Sequence, residues 1–108
     1  MLKALYLVKR RPDWSFDAFR DHEVDTHVPL ALALPGLRRY EFDVLTPIDG
    51  QDQPYDGVAT LWFDDKAAHD AALASEAGQK ALADLPVFLD TDRMLPLFGE
   101  TVVARDDL

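Results

Sequence analysis

Alternating and continuous apolar positions predict four β-strands. Residues 2–8 (LKALYLV) and 55–63 (YDGVATLWF) carry apolar side chains on both faces, which is typical of central strands. Residues 37–45 (LRRYEFDVL) alternate with a period of two and leave one face polar. Residues 94–104 form the last predicted strand, and Pro96 favours an edge position because proline cannot donate a hydrogen bond to a neighbouring strand.

The first helical region is predicted between the first two strands. It runs from Phe16 to about Leu34, because Ser15 can cap its N-terminus and the proline and glycine that follow Leu34 stop a helix. Pro29 lies inside this region and removes one backbone donor. We therefore expect a kink or a restart near residues 25–26.

The second helical region lies between the third and fourth strands. Residues 64–75 predict an alanine-rich helix with acidic residues at its start. Residues 76–90 predict a second helical piece, which we expect Pro86 to break. The turn-rich stretch 46–54 (TPIDGQDQP) predicts a loop, and we expect it to be the most mobile segment.

The predicted order β-α-β-β-α-β is that of the ferredoxin-like fold, an α+β architecture. Its four-stranded antiparallel sheet is covered by helices on one face only. Depending on the register of the strands, the open face would carry Tyr6, Tyr40 or Phe42, and Trp62 or Phe63. So large an apolar surface favours pairing of two sheets, face to face, in a homodimeric α+β barrel.

Length, charge and composition narrow the functional classes. The 108 residues fit one domain, 1–108, and the lack of cysteine excludes disulfides, thiolate nucleophiles and cysteine-bound metals. Residues 41–108 hold four Lys or Arg against fifteen Asp or Glu, which disfavours nucleic acid because the excess acid repels phosphate. No apolar run approaches the ~20 residues of a membrane helix, and no secretory signal is recognisable. We expect no membrane partner and a cytoplasmic location.

His27 is the leading candidate for chemistry. On a helical wheel it shares a face with apolar residues and with Glu23, four residues earlier. An imidazole, whose pKa lies near neutrality, can move a proton on and off a carbon next to a carbonyl, or onto a leaving oxygen. Glu23 is placed to hold one ring nitrogen and fix the tautomer. A structural histidine, bonded to backbone carbonyls or to Glu23, is the alternative, and the sequence leaves both interpretations open.

The other two histidines are predicted to be exposed. His22 points about 140° away from His27 on the wheel, and His69 lies beside Asp65 and Asp70 on the alanine-rich helix. Three histidines without an i, i+4 pair make a poor metal site, so we expect no metal and no cofactor. Glycine-rich phosphate loops and the GxSxG and HExxH motifs are also absent.

Three stretches resemble the EthD-type proteins of the dimeric α+β barrel superfamily. They are LYLVKRRPDWSFDAFRDHEVDTHVPLALALPGLRRY, YDGVATLWFDD and SEAGQKALADLPVFLD, in the family's order and spacing. The TH-x-PLA…LPGLRRY stretch is the most specific. The resemblance implies a homodimer with His27 at a cavity and an acidic position at Asp84. Some relatives in the superfamily bind haem through a helical ligand in the second half of the chain, and His69 is the residue to weigh for that role.

Further positions are candidates for lining a pocket for a small apolar ligand, or for binding it. They are aromatic, acidic and basic side chains, namely Tyr40, Trp62, Phe63, Asp84, Phe88 and Arg39. Each also has a structural interpretation. The aromatic residues suit an ordinary core. Asp84 suits a cap at the break before Pro86 or a pair with an arginine, and Arg39 suits a solvated surface or a contact with an acidic patch of the partner subunit.

The resemblance implies a role in catabolism or secondary metabolism of small organic molecules, without a metal. Lactone isomerases, polyketide cyclases and fungal dehydratases are similar, and the family is named for a protein linked to ethyl tert-butyl ether degradation. We expect a cofactor-independent enzyme that isomerises, cyclises or dehydrates an apolar oxygenated compound, with His27 and Glu23 as catalytic residues. The alternative is a non-catalytic binder of hydrophobic ligands or an accessory protein to a monooxygenase, consistent with the family's oxidoreductase association. RNA binding is disfavoured because strand 55–63 lacks Lys and Arg.

Overall fold

The computed structural model describes residues 1–108 and confirms the ferredoxin-like α+β fold. The elements, in chain order, are β1 (Leu2–Val8), α1 (Phe16–His22), a π-helical turn (Glu23–His27), α2 (Val28–Leu32), β2 (Arg39–Val44), β3 (Gly57–Phe63), α3 (Lys66–Ala74), α4 (Glu76–Phe88), a 3₁₀ turn (Thr91–Arg93) and β4 (Leu95–Gly99). None of the helices has the length and apolar character needed to span a bilayer.

The four strands form one antiparallel sheet in the order β2-β3-β1-β4. The predicted central positions of β1 and β3 and the edge position of β4 are confirmed. The last strand is shorter than the predicted 94–104, since it ends at Gly99. Gly99 lies opposite Lys3, and β1 begins at Leu2, so the chain beyond Gly99 has almost no neighbouring backbone left to pair with.

The helices cover one face of the sheet, and the register decides which side chains meet them. The prediction for the open face is wrong for four aromatic residues, which lie on the helix side: Tyr6, Tyr40, Phe42 and Phe63. Trp62 alone matches the prediction and lies on the open face, where Lys3 and Arg39 approach its ring at 5.3 and 5.2 Å. Leu5 and Leu97 pair on this same open face, and Leu97 is 46% exposed.

The first helical region contains a π turn at the place where a kink was predicted. Ser15 caps α1 by accepting a hydrogen bond from the Ala18 N–H at 3.1 Å, as predicted. In the π turn the Val28 N–H donates to the Glu23 carbonyl, five residues back. Pro29 follows directly, and its missing N–H and its ring are incompatible with an ordinary α-helical bond to the carbonyl four residues earlier. A wider turn before Pro29 accommodates both constraints.

The second helical region consists of α3 and α4, packed closely at their junction. Ser75 caps α4 by accepting from the Gly78 N–H. A Cβ at Gly78 would lie 2.3 Å from the Ala72 carbonyl oxygen, so the close approach requires glycine. The predicted break near Pro86 is wrong, because α4 continues to Phe88. Pro86 lies in the last turn, where its missing N–H removes a single helical hydrogen bond.

Candidate functional site

A cavity of about 80 Å³ lies between the sheet and the helical layer. Fourteen of its sixteen lining residues are hydrophobic. They come from helices α2, α3 and α4, from strands β1, β2 and β3, and from short segments beside α2, α4 and β4. The two exceptions are Glu23 and His27, both from the π turn. The only carboxyl group and the only imidazole on the wall therefore come from one irregular turn of helix.

His27 is held by a carboxylate on its far side. Its Nδ1 donates to Asp84 Oδ2 at 2.9 Å, and Asp84 lies on α4. Its Nε2 has no hydrogen-bonding partner in the protein, and no polar side-chain atom is fully buried without one, so Nε2 keeps accessible surface. Burial lowers the pKa of His27, an effect that Asp84 partly opposes. The ring is therefore neutral at pH 7, with the hydrogen on Nδ1 and a lone pair on Nε2.

His22 binds the same carboxylate, and the prediction that it faces solvent is wrong. Its Nε2 lies 3.0 and 3.1 Å from the two oxygens of Asp84, and its side chain is 17% exposed. The Trp14 ring meets the His22 ring edge to face at 5.4 Å. A π turn closes its hydrogen bonds over five residues, which brings residues i and i+5 onto one face. His22 and His27 are five apart, so the π turn aligns two rings that an α-helical wheel separates.

Glu23 is the buried carboxyl of the cavity, with 2% of its surface exposed. The Tyr40 hydroxyl donates to its Oε1 at 3.2 Å. Burial raises the pKa of Glu23 to about 7, against the opposing effect of the Tyr40 hydrogen bond. The predicted pairing of Glu23 with His27 is wrong. Asp84 holds the histidine instead, because the π turn directs the His27 Nδ1 toward α4.

The structure brings some of the other predicted residues to the cavity. Tyr40 lines it, and the buried Phe88 packs against the His27 ring with a centroid distance of 5.5 Å. Asp84 was predicted to belong to the ligand pocket, to cap a helix break or to pair with an arginine. It lies behind His27 and accepts from both histidines.

Three predicted ligand-binding residues lie away from the cavity. Arg39 and Trp62 are paired across β2 and β3 on the open face of the sheet, and Arg39 bonds Glu41 at 2.6 Å. Phe63 is fully buried in the core, edge to face with His69 at 5.5 Å. Alternate residues of a strand point to opposite faces, so Tyr40 reaches the cavity and Arg39 does not.

His69 is buried, and the prediction that it is exposed is wrong. Only 3% of its surface is accessible. Its Nδ1 bonds Asp70 Oδ1 at 2.9 Å and its Nε2 bonds the Tyr6 hydroxyl, so both ring nitrogens have protein partners. The spacing of His69 to the buried Ala72, three residues on, was the available signal that it faces the sheet. The structure contains no group of three or more His, Asp or Glu side chains arranged to bind a metal ion.

The arrangement is suited to proton transfer. Two residues that line the cavity have suitable groups: His27, whose Nε2 lone pair is accessible, and Glu23, whose pKa of about 7 leaves its carboxyl partly protonated near neutrality. One group can remove a proton while the other supplies one. The apolar surroundings strengthen each polar interaction with a bound molecule.

Comparisons with known proteins agree with the fold. An EthD family protein, BH0200 from Bacillus halodurans C-125, superposes with a TM-score of 0.80 at 22% identity, covering 94% of this chain and 99% of that one. A dimeric ferredoxin-like protein of unknown function from Thermobifida fusca YX superposes with a TM-score of 0.72 at 16% identity, covering 93% and 90%.

The family is shown by sequence. An uncharacterized 11.0 kDa protein from the thcB-thcC intergenic region of Rhodococcus erythropolis is 32% identical over 88 residues, which is 73% of this chain and 85% of that protein. The model of the EthD domain matches residues 11–92. These residues include every element from α1 to α4, and with them both His22 and His27. The chain belongs to the EthD family.

Proposed function

We propose that this EthD-family protein is a cofactor-independent enzyme that uses acid/base catalysis to isomerise, cyclise or dehydrate a small apolar oxygenated compound. One observation carries the proposal. The accessible Nε2 of His27 and the buried carboxyl of Glu23 share a cavity whose other walls are hydrophobic. A histidine with a purely structural role does not need an accessible ring nitrogen without a hydrogen-bond partner beside such a cavity.

The first chemical step is enolisation. His27 Nε2 takes a proton from the carbon next to a carbonyl, and the electrons of the broken C–H bond form a carbon–carbon double bond. The carbonyl oxygen takes the proton of the Glu23 carboxyl, which leaves an enol, an imidazolium and a carboxylate. In each continuation the Glu23 carboxylate takes back the enol hydrogen as the carbonyl forms again. Where the enol is conjugated with a second double bond, transfer of the His27 proton to a different carbon isomerises the compound. Attack of the enol carbon on a second carbonyl cyclises it, and the new alkoxide takes the His27 proton. Loss of a neighbouring hydroxyl, which leaves as water with the His27 proton, dehydrates it.

Asp84 and Tyr40 support this step without contacting the reacting carbon. Asp84 accepts from Nδ1 at 2.9 Å, which fixes the tautomer with the lone pair on Nε2 and favours the imidazolium once it forms. Tyr40 donates to Glu23 Oε1 and stabilises the carboxylate left after proton transfer. General acid/base groups placed in this way typically contribute about 10²–10⁴-fold to a rate.

The proposed assembly is a homodimer formed through the open faces of two sheets. Similar structures, including the protein from Thermobifida fusca, are dimeric. The open face of this chain exposes the apolar residues Leu95 and Leu97, at 39% and 46%. Leu97 lies opposite Leu5 of the neighbouring strand β1. Covering such a surface is favourable by about 25 cal/mol per Å² of apolar area. The proposal also includes a cytoplasmic location, because small organic molecules are metabolised there.

Hydrogen–deuterium exchange tests the proposed catalysis. Cyclopentanone, γ-butyrolactone and acetophenone are incubated with the protein in D₂O, and loss of the proton signal next to the carbonyl is followed by NMR. The matched variant is His27→Asn, because the asparagine amide can still donate to Asp84 while the Nε2 lone pair is removed. We expect at least one compound to exchange about 100-fold faster with the original protein than with His27→Asn. If each of the three compounds exchanges at the same rate with the original protein as with His27→Asn, the proposal is overturned.

A second candidate is a non-catalytic binder, either a carrier of a hydrophobic metabolite or an accessory protein to a monooxygenase. The hydrophobic character of fourteen of the sixteen lining residues favours it. The same experiment separates the two functions. A compound that binds in the cavity, seen as shifted resonances of its lining residues, and shows no exchange above that of His27→Asn supports the binder.

A further inference from the structure

The cavity has acidic side chains beside it and no basic side chain other than His27. Glu23 lies on the wall, Asp84 lies directly behind the His27 ring, and no lysine or arginine lines the cavity. A ligand that carries a carboxylate would meet two acidic side chains and no cation to pair with. Bringing an unpaired anion into an apolar cavity is costly, and a neighbouring like charge adds to that cost.

The Glu23 carboxyl is equipped to donate a hydrogen bond. Oε1 accepts from Tyr40, while Oε2 has no partner in the protein. No polar side-chain atom is fully buried without a partner, so Oε2 keeps accessible surface, and Glu23 is one of the residues that line the cavity. Glu23 has a pKa of about 7, which means that its protonated form is the main form at mildly acidic pH. In that form the hydrogen is available to an acceptor atom of a bound molecule.

We propose that the cavity selects an uncharged carbonyl compound, whose oxygen accepts a hydrogen bond from protonated Glu23, and rejects carboxylates of the same size. The inference rests on the proposed function in one respect, namely that the carbon next to the carbonyl lies beside His27 Nε2. The small volume, about 80 Å³, limits the part held inside to about one small ring.

Protonation of Glu23 then controls binding. The ionisable groups that face it are Tyr40 from β2, Tyr6 from β1, His27 from the π turn and Asp84 from α4. Burial raises the pKa values of both tyrosines, so they stay neutral below pH 9, and burial lowers the pKa of His27. Between pH 5.5 and 8.5 Glu23 loses its proton, whereas His27 can become charged only at the acid end of this range, and the His27→Asn variant below removes that contribution.

The size of the pH effect follows from the fraction of protein in the competent form. With a pKa of about 7, nearly all Glu23 is protonated at pH 5.5 and about 3% at pH 8.5. Binding that requires the protonated form is then about 30-fold weaker at pH 8.5. An ammonium ligand would respond in the opposite sense, because it pairs with the ionised carboxyl.

The test compares three probes of similar size by NMR titration of the full-length protein at pH 5.5 and 8.5. The probes are cyclopentanone, cyclobutanecarboxylate and cyclopentylammonium. We expect cyclopentanone to shift resonances of cavity residues and to bind about 30-fold more weakly at pH 8.5. Cyclobutanecarboxylate should bind at neither pH. Equal binding of the carboxylate, tighter binding of the ammonium than of cyclopentanone at pH 5.5, or no binding of cyclopentanone would each overturn the proposal.

Two variants assign the pH dependence. Glu23→Gln presents an amide donor at every pH, so cyclopentanone should bind it equally at pH 5.5 and 8.5. His27→Asn keeps Glu23 and should keep the 30-fold change, and loss of the change in this variant would overturn the assignment. The two proposals fail separately. Selective binding without deuterium exchange removes the catalytic function alone, whereas His27-dependent exchange without selectivity removes the present inference alone.

Discussion

Replacing Glu23 by glutamine should change how the stability of the protein depends on pH. Burial raises the pKa of Glu23 from 4.5 to about 7 in the folded protein. Between these values the folded protein holds a proton that the unfolded chain has lost, so rising pH destabilises the folded state. Each pKa unit corresponds to 1.36 kcal/mol, which gives about 3 kcal/mol in total. Glutamine cannot ionise and escapes this loss.

The assay is urea unfolding of the original protein and of Glu23→Gln, at one fixed protein concentration, in steps from pH 4 to 8. At each pH, the free energy of unfolding of the original protein is subtracted from that of the variant. The contributions of the other ionisable groups, including His27, cancel in this difference. It should move in favour of the variant by about 1.4 kcal/mol per pH unit between pH 4.5 and 7, and be flat outside that range. A constant difference across pH 4.5–7 would refute the conclusion that Glu23 is buried and poorly solvated.

Two further substitutions have expected outcomes that the same unfolding assay measures. Tyr40→Phe removes the hydrogen bond to Glu23, so it should cost about 1–3 kcal/mol and raise the pKa of the carboxyl further. An unchanged carboxyl titration by ¹³C NMR would contradict this. Gly78→Ala should cost about 1–3 kcal/mol, because the new Cβ meets the Ala72 carbonyl oxygen. The control Gly99→Ala has open space around it and should change stability by less than about 0.5 kcal/mol.

The sequence predicts the order of elements and the inward position of His27 because both depend on short-range periodicity. The alternation of LRRYEFDVL and the two apolar stretches around it are visible within a few residues. Ser15 begins a helix through a local hydrogen bond to the Ala18 N–H, which needs no tertiary contact. These features would be present in any fold that used the same segments.

The π turn explains why the histidine site was predicted only in part. A wheel drawn at 100° per residue sends His22 to solvent, whereas one π turn places it beside His27. Pro29 indicates an irregularity without specifying its form. The choice depends on α4, which presents Asp84 to His22 and His27 from 62 and 57 residues away in the sequence. The spacing of residues within the first helical region gives no information about such a long-range contact.

The sequence does not show which residues of the central strands face the helices, and the reason is a different one. In YDGVATLWF both faces are apolar, so alternation does not say whether Trp62 or Phe63 meets the helices. Registers fixed by long-range pairing decide it, and Trp62 lies opposite Lys3 and Arg39 on the open face. The assignment of Trp62 to ligand binding followed from this ambiguity. Arg39 differs, because the alternation of LRRYEFDVL already places it on the polar face, opposite to Tyr40.

The ¹⁵N spectrum of the histidine side chains, recorded from pH 5 to 9 through long-range proton–nitrogen couplings, tests the acid/base site most directly. It reports which ring nitrogen carries hydrogen and at what pH the ring becomes charged. At pH 7.5 we expect His27 to be neutral, with hydrogen on Nδ1 and none on Nε2, and to become charged below pH 6.5 because burial lowers its pKa. In Asp84→Asn the pKa of His27 should fall further, since Asp84 raises it. A His27 that carries hydrogen on Nε2, or stays charged at pH 7.5, would contradict its role as the proton acceptor of the cavity.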